Sequence, residues 1–394
     1  MCRKLTIKDV PVEGKKVFVR VDYNVPLSGE NVIDDSKIRA TLPTMKYLLE
    51  RGVRVIAATH LGRPKGRVVE ELRLDPVAKR LSELLGVEVI KCNTVAGAEV
   101  ERAVEALPPG GVLLLENVRF EPGEEKNDPG LAASFAALAD LFVNDAFGTS
   151  HRAHASNCGI TRHLPAVAGL LVEKELHYLN KSREKPQRPL AAILGGKKVA
   201  DKIGVIEHFL NEADSLMLGG AMANTFLKAR GLALGSSLYE EDKLDAAAEI
   251  LSRSQKRRAR LLLPLDVVIV ETLRSNSPSK TVNVEDVPEG WIAVDIGPRT
   301  VDLYSGVIEE AKTVLWNGPL GAYEFEPFDW GTEMIARTIA GTGAESIIGG
   351  GDVVAALEKL GLSGKMTHLS TGGGATLEFW EDGELPGLAV LQEK

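Results

Sequence analysis

Short runs of Val, Ile, Leu and Ala recur along the chain. Each is closed by polar or glycine residues and followed by a stretch of helical period. In the first half the runs are "KVFVRVD", "VRVIAAT", "VEVIK", "VLLLEN" and "LFVND". In the second they are "LAAIL", "DSLMLG", "LPLDVVIV", "IAVDIG", "TVLWNG", "SIIGG" and "HLST". Runs that are continuously apolar, rather than alternating, predict strands buried on both faces, as in a parallel sheet covered by helices. The pattern therefore predicts an α/β chain of doubly wound, Rossmann-like parallel sheets. Between the two sets lies "LLVEKELHYLNKSREKPQRP", residues 170–189, in which Leu171, Val172, Leu176 and Leu179 share one helical face. Pro186 and Pro189 close the segment. One helix and then a linker are expected, with a domain boundary near 185. The division reads as a domain at 1–170, an interdomain helix and hinge at 171–185, and a second domain at 186–380.

In open sheets of this kind ligands sit beyond the carboxyl ends of the strands. In the first half those ends carry Asp22 and Asn24, His60 and Arg63, Asn117 and Arg119, and the stretch from Asp145 to Arg152. In the second half they carry mostly glycine: Gly195-Gly196, Gly219-Gly220, Gly297, Gly318, Gly349-Gly350-Gly351 and Gly372-Gly373-Gly374. One half presents basic side chains and the other bare backbone. The planar fork of arginine binds carboxylate or phosphate bidentately. Arg39 in "SKIRATLPT", His60 and Arg63 in "THLGRPKG", Arg119 and Arg152 would together hold a small, multiply charged anion. Taken singly, each arginine reads as an ordinary surface residue. His151, His154 and Cys158 in "HRAHASNC" have ligand-like spacing, but no fourth ligand or C-x-x-C completes a zinc site. Helix-start hydrogen bonding or anion contact is the expected role there.

"AAILGGKKVADKIGVIEHFL", residues 191–210, lacks the spacing of a Walker P-loop. Lys198 and Lys202 are four apart, on one face of a helix expected to open after Gly196. A tight turn with solvated lysines and an anion held between two lysines both fit this pattern. The other glycine clusters favour the anion. In "IIGGGDVVAAL", amides at Gly349, Gly350 and Gly351 can cradle phosphate oxygens while Asp352 holds Mg²⁺. "LSTGGGATLEFW" repeats the design around Gly373 without the acid. Asn317-Gly318-Pro319 fixes a rigid loop, and Glu324 beyond it could accept ribose hydroxyls, although a plain turn fits the same residues.

At 394 residues the chain is too long for one ordinary core. The net charge of −8 does not favour a nucleic-acid or membrane-surface partner. Cys2, Cys92 and Cys158 form no C-x-x-C, which suits a reducing cytoplasm. The polar N-terminus is unlike a signal peptide. No G-x-G-x-x-G with an acid about twenty residues on follows any strand, which argues against a nicotinamide-dependent dehydrogenase.

Ten segments resemble, in order, the motifs of the phosphoglycerate kinase family in its bacterial form. They are "VRVDYNVPL", "THLGRPKG", "ENVRFEPGEEKND", "NDAFGTSHRAHAS", "GGKKVADKI", "LGGAMANTFLKARG", "DIGPRT", "LWNGPLGAYEFEPF", "IGGGD" and "STGGGATLEF". The resemblance implies reversible transfer between 1,3-bisphosphoglycerate with MgADP and 3-phosphoglycerate with MgATP. It implies that Asp22, Asn24, Arg39, His60, Arg63, Arg119 and Arg152 bind the phosphoglycerate. Nucleotide would fall to Gly195, Gly196, Lys198, Lys202, Gly219, Gly220, Ala293, Asn317, Pro319, Glu324, Gly349, Gly350, Gly351, Asp352 and Val353, with Asp352 on Mg²⁺. Arg39, Lys198, Lys202, Gly350 and Gly373 would act on the phosphoryl group in transfer. A monomer is expected, with a C-terminal tail, 381–394, packing back on the first domain. A non-catalytic nucleotide-binding scaffold would be expected to lack Arg39, Lys202 or Asp352, and all three are present. Three positions depart from the family pattern: Lys197 where a small residue is usual, Ala293 where glycine is common, and Val353 where Thr or Ser is common.

Overall fold

The computed structural model describes residues 4–394, so Cys2 lies outside the described residues. Two compact units emerge: residues up to His177 with Glu384–Lys394, and Tyr178–Gly383.

The first unit is built on six parallel strands: β1 (Lys16–Val21), β2 (Arg54–Ala58), β3 (Val89–Lys91), β4 (Val112–Leu114), β5 (Leu141–Asp145) and β6 (Ala166–Ala168). Their order is β3-β4-β2-β1-β5-β6. The strand period of two divides β1 between layers. Val17, Val19 and Val21 pack with Ile38, Met45 and Leu48 of the helix Ser36–Leu49. Phe18 points the other way, onto Phe135 and Phe142, at ring centroids 5.4 and 6.2 Å apart. The chain runs outward from β1 in one direction and returns to β5 on its other side. The mouth of this unit's site is therefore where β1 and β5 end, at Asp22 and Ala146.

The second unit repeats the plan with β7 (Leu190–Leu194), β8 (Ser215–Leu218), β9 (Arg260–Leu262), β13 (Thr313–Asn317), β14 (Glu345–Gly349) and β15 (His368–Leu369), in the order β9-β8-β7-β13-β14-β15. Here the reversal lies between β7 and β13, at Gly195 and Gly318. Two runs expected as parallel strands behave differently. "LPLDVVIV" and "IAVDIG" supply β10 (Asp266–Val270) and β12 (Ile292–Ile296), which flank nothing in the parallel sheet. With β11 (Ser279–Asn283) they form a separate antiparallel sheet, β10 in the centre. The links between these strands contain no α-helix, only a 3-10 turn at Val284–Asp286, and are too short for a parallel crossover, which takes about a dozen residues or more.

The helix Leu170–Glu184 belongs to both units. Leu171 and Val172 are buried in the first; beyond Tyr178, Lys181 pairs with Glu345 at 2.9 Å and Arg183 Nε donates to the Trp380 carbonyl at 3.3 Å. Asp145 receives the amides of Leu171 at 2.9 Å and Val172 at 3.4 Å at the start of this helix. The tail from Glu384 lies on the first unit: Gly387 N donates to Ser150 O at 2.8 Å, and Leu5 N donates to Gln392 O at 2.7 Å. No helix among the described residues is long and apolar enough to cross a membrane.

Candidate functional site

At the β1 end of the first unit, Asp22 accepts from Lys37 Nζ at 3.0 Å, and its other oxygen lies 4.0 Å from His60 Nδ1. Burial alone would raise the Asp22 carboxyl, yet the cation of Lys37 holds it below its ordinary value. Asn24 Oδ1 accepts the Gly62 amide at 2.9 Å, and Arg119 Nη1 donates to the Gly62 carbonyl at 2.8 Å. Those contacts gather Asp22, Asn24, His60 and Arg119, with exposed Arg63 beside Gly62. Arg152 is near enough to Arg119 to lower its pKa, after burial and alongside other charges, and donates from Nε to His151 Nε2 at 3.1 Å.

Under this cluster sits Arg20, fully buried, donating to Ser156 Oγ at 2.8 Å and balanced by the buried Glu124. Arg20 Nη2 lies 3.4 Å from His60 Nδ1. A guanidinium only donates, so Nδ1 accepts and the His60 proton sits on Nε2. Burial drives His60 well below its usual value, and pushes His154 down to about 3. The positive charge at this site comes from Lys37 and the arginines, and His60 serves as a neutral donor. Among the described residues no three His, Cys, Asp or Glu side chains come together in a metal-binding group.

Arg39 is not brought to this cluster. Its Nε donates to Asp35 Oδ1 at 2.7 Å, and Arg80 takes the other Asp35 oxygen at 2.6 and 2.9 Å. It lines a separate groove with Arg80 and Glu83. Lys37 and Arg39 are two residues apart on one helix, about 200° around its axis, so only one of them can face Asp22. Lys37 is that residue, and the sequence reading missed it.

The second unit holds a cleft of about 460 Å³ at the β7–β13 reversal. Gly196, Lys198, Lys202, Gly220, Ala293, Asn317, Pro319, Glu324, Gly350 and Asp352 line it. Its apolar wall comes from Ile292 and Val294 of β12, Val267 of β10, and Leu238, Pro264 and Leu273. These last four look like ordinary core residues in the sequence, and nothing in their spacing marks them.

Gly195, Gly219, Gly349, Gly351, Val353 and Gly373 do not line the cleft. Gly195 N donates to Asn317 O at 2.9 Å, and a Cβ there would lie 2.1 Å from Pro319 O; this glycine lets two strand ends meet. The Gly196, Gly219 and Gly220 amides are likewise engaged, with Pro319, Leu194 and Leu320 carbonyls. The backbone is therefore less bare than its glycines suggest. Gly351 opens the helix Gly351–Lys359, and Gly373 caps the helix Gly374–Asp382. Val353 is fully buried in the same apolar cluster as Ile348 and Leu357, so its side chain packs in the core and does not line the cleft.

The lysines also differ from expectation. The segment after Gly196 is a loop, then a single 3-10 turn at Ala200–Lys202, then the helix Ile203–Glu212. Lys198 precedes the helix, so the shared-face argument does not hold for it, although both lysines reach the cleft. Glu240 accepts the amides of Val199 and, at 3.2 Å, Ala200, so the amides at this turn already have a carboxylate. Lys202 Nζ donates to the Gly195 carbonyl. Burial pushes its pKa down to about 8 against the pull of Asp352 and Asp201. Asn317 Nδ2, buried at the reversal, has no hydrogen-bond partner, a donor suited to a phosphate oxygen. Glu324 accepts from Lys197 Nζ at 3.1 Å, which gives this unusual lysine a partner. Asp352 is exposed at the helix start and accepts from Tyr323 Oη at 2.9 Å. One exposed carboxylate beside lysines fits Mg²⁺ that arrives with a nucleotide, because that ion takes one or two carboxylates and completes its shell with phosphates and water.

The sequence model of the family described as "Phosphoglycerate kinase" matches residues 7–383. The phosphoglycerate kinases of Moorella thermoacetica and Rubrobacter xylanophilus are each 54% identical to this chain over 99% of its length and 100% and 99% of theirs. Among solved structures, the phosphoglycerate kinase of Coxiella burnetii matches with a TM-score of 0.86 at 39% identity, covering 98% of both chains. That of Pyrococcus horikoshii matches with a TM-score of 0.88 at 33% identity, covering 99% of this chain and 98% of the other.

Proposed function

The chain belongs to the phosphoglycerate kinase family, and from that premise we propose how its two sites divide the reaction. It is an ATP:3-phosphoglycerate phosphotransferase of glycolysis and gluconeogenesis, interconverting 1,3-bisphosphoglycerate and ADP with 3-phosphoglycerate and ATP. The first unit takes the phosphoglycerate. Lys37, Arg63, Arg119 and Arg152 meet its charged groups, while Asp22 and Asn24 accept and donate at its hydroxyl. The second unit takes the nucleotide: base against the wall of β10 and β12, ribose toward Glu324, phosphates toward Lys198, Lys202 and Asn317. Asp352 would hold Mg²⁺, which neutralises phosphate charge when bound.

The attacking group is a carboxylate, ionised at neutral pH, so no general base is needed. Neutral His60 and His154 agree with that, since neither is poised to take a proton. What remains is in-line positioning at about 3–3.5 Å and stabilisation of the charge in flight. Lys202 answers to the second task from the nucleotide side and Lys37 from the phosphoglycerate side. The observation that carries this reading is the pairing of a cationic site on one unit with an apolar-walled, lysine-bearing cleft on the other. The test is a coupled assay of the purified chain with 3-phosphoglycerate and MgATP. Turnover that needs both substrates is expected; ATP hydrolysis independent of 3-phosphoglycerate would overturn the reading.

A further inference from the structure

Tyr323 stands between two cavities. Its side chain borders the nucleotide cleft and also a smaller cavity of about 170 Å³ lined by Thr332, Ala355, Ala356 and Lys359. Its phenol donates to Asp352 Oδ1 at 2.9 Å. The loop that carries it is tied to the same helix a second time, two turns further on. Lys359 Nζ donates to Glu326, and to Asp329 Oδ2 at 3.4 Å. Asp352 and Lys359 are seven residues apart and share one face of the helix Gly351–Lys359. The loop thus lies along that face, anchored at both ends, with Tyr323 over the first turn.

We propose that Tyr323 is a positioning residue: its phenol fixes the Asp352 carboxylate in the orientation in which it receives the divalent cation of the nucleotide. The inference rests on the assignment of Asp352 made above. Asp352 is exposed at a helix start, so its side chain would otherwise sample several rotamers. A phenol at neutral pH is a donor. By holding Oδ1 it restricts the orientations open to the carboxylate that would receive the cation. Partners that orient a ligating carboxylate in this way typically contribute about 10- to 100-fold in metal affinity. This contact is open to water, so a loss of about three- to tenfold is expected.

The test is calorimetry of ADP binding, with and without Mg²⁺, to the parent chain, Tyr323→Phe and Asp352→Asn. Phenylalanine keeps the ring and its packing and removes only the hydroxyl. Tyr323→Phe should lower MgADP affinity about three- to tenfold and leave metal-free ADP affinity unchanged. Asp352→Asn should lower the same ratio by more. A ratio unchanged in Tyr323→Phe but reduced in Asp352→Asn overturns the positioning role. An equal loss for both ligand forms in Tyr323→Phe also overturns it, since that is loss of loop packing. A ratio unchanged in Asp352→Asn overturns the metal assignment itself, and the inference with it.

Discussion

Raising the pH past about 8 should weaken nucleotide capture through Lys202. Burial disfavours its charged form, and Asp352 and Asp201 only partly restore it. Below that pH the ammonium is present in the free enzyme and attracts phosphate. Above it, the proton is lost before the nucleotide arrives. One unit past the break, about one molecule in eleven keeps the charge, so kcat/KM for MgATP should fall about tenfold per pH unit. Bound phosphates would raise the Lys202 pKa again, so kcat should hold to higher pH than kcat/KM. The assay is the pH profile of kcat/KM for MgATP at saturating 3-phosphoglycerate. Lys202→Arg supplies the control, because a guanidinium keeps its charge throughout. Whatever rate that variant loses, its alkaline limb should move out of range. Lys202→Ala should cost about 10²–10³ in kcat, the scale of one donor aimed at transition-state charge. A parent profile with no limb above pH 8, or a Lys202→Arg profile with the limb unmoved, would exclude Lys202 as the titrating group.

Two further outcomes separate residues that the sequence alone confuses. Lys37→Ala should lower kcat about 10²-fold. Arg39→Ala should change it less than about tenfold, because Arg39 is occupied by an exposed pair with Asp35; steady-state kinetics of the two variants decide between them. Asp295, buried in the wall of the cleft and accepting the Gly331 amide at 2.7 Å, is pushed up to about 8 by burial. Its folded pKa lies above the unfolded one, so the stability it contributes is full below the ordinary carboxylate range and is lost as pH rises through about 8. Urea melts across that window should show Asp295→Asn losing about 1.4 kcal/mol per pH unit of slope; equal slopes in both proteins would refute the assignment.

Much of the fold was legible because buried parallel strands are continuous apolar runs: ten of the twelve quoted runs lie in the two parallel sheets, although the edge strand β3 is only partly buried and the edge strands β6 and β9 fall in none of the runs. The other two, at Asp266–Val270 and Ile292–Ile296, look the same locally. Only the length of their connections distinguishes them, and that is a property of the segments between. The first-unit site was legible by strand-end position, except on a helix. There, Asp35 four residues before Arg39 forms an i,i+4 pair that marks Arg39 as engaged. The same period turns Lys37 toward Asp22. In the second unit glycine was an ambiguous sign. A residue without Cβ serves a phosphate and a close chain crossing equally well, and Gly195 serves the crossing. The pairs Lys197–Glu324 and Tyr323–Asp352 join residues far apart in the chain, and no local pattern announces them.

The tail from Glu384 also bears on the order in which the molecule can be completed. The first unit needs residues from both ends of the chain, because the amide of Leu5 meets Gln392 and that of Gln392 meets Ala166. The second unit is contained between Tyr178 and Gly383. During synthesis all strands of the second unit are therefore available before the first unit has its last segment. The unit begun earlier is the one completed later, because Glu384–Lys394 follows every strand of the second unit along the chain.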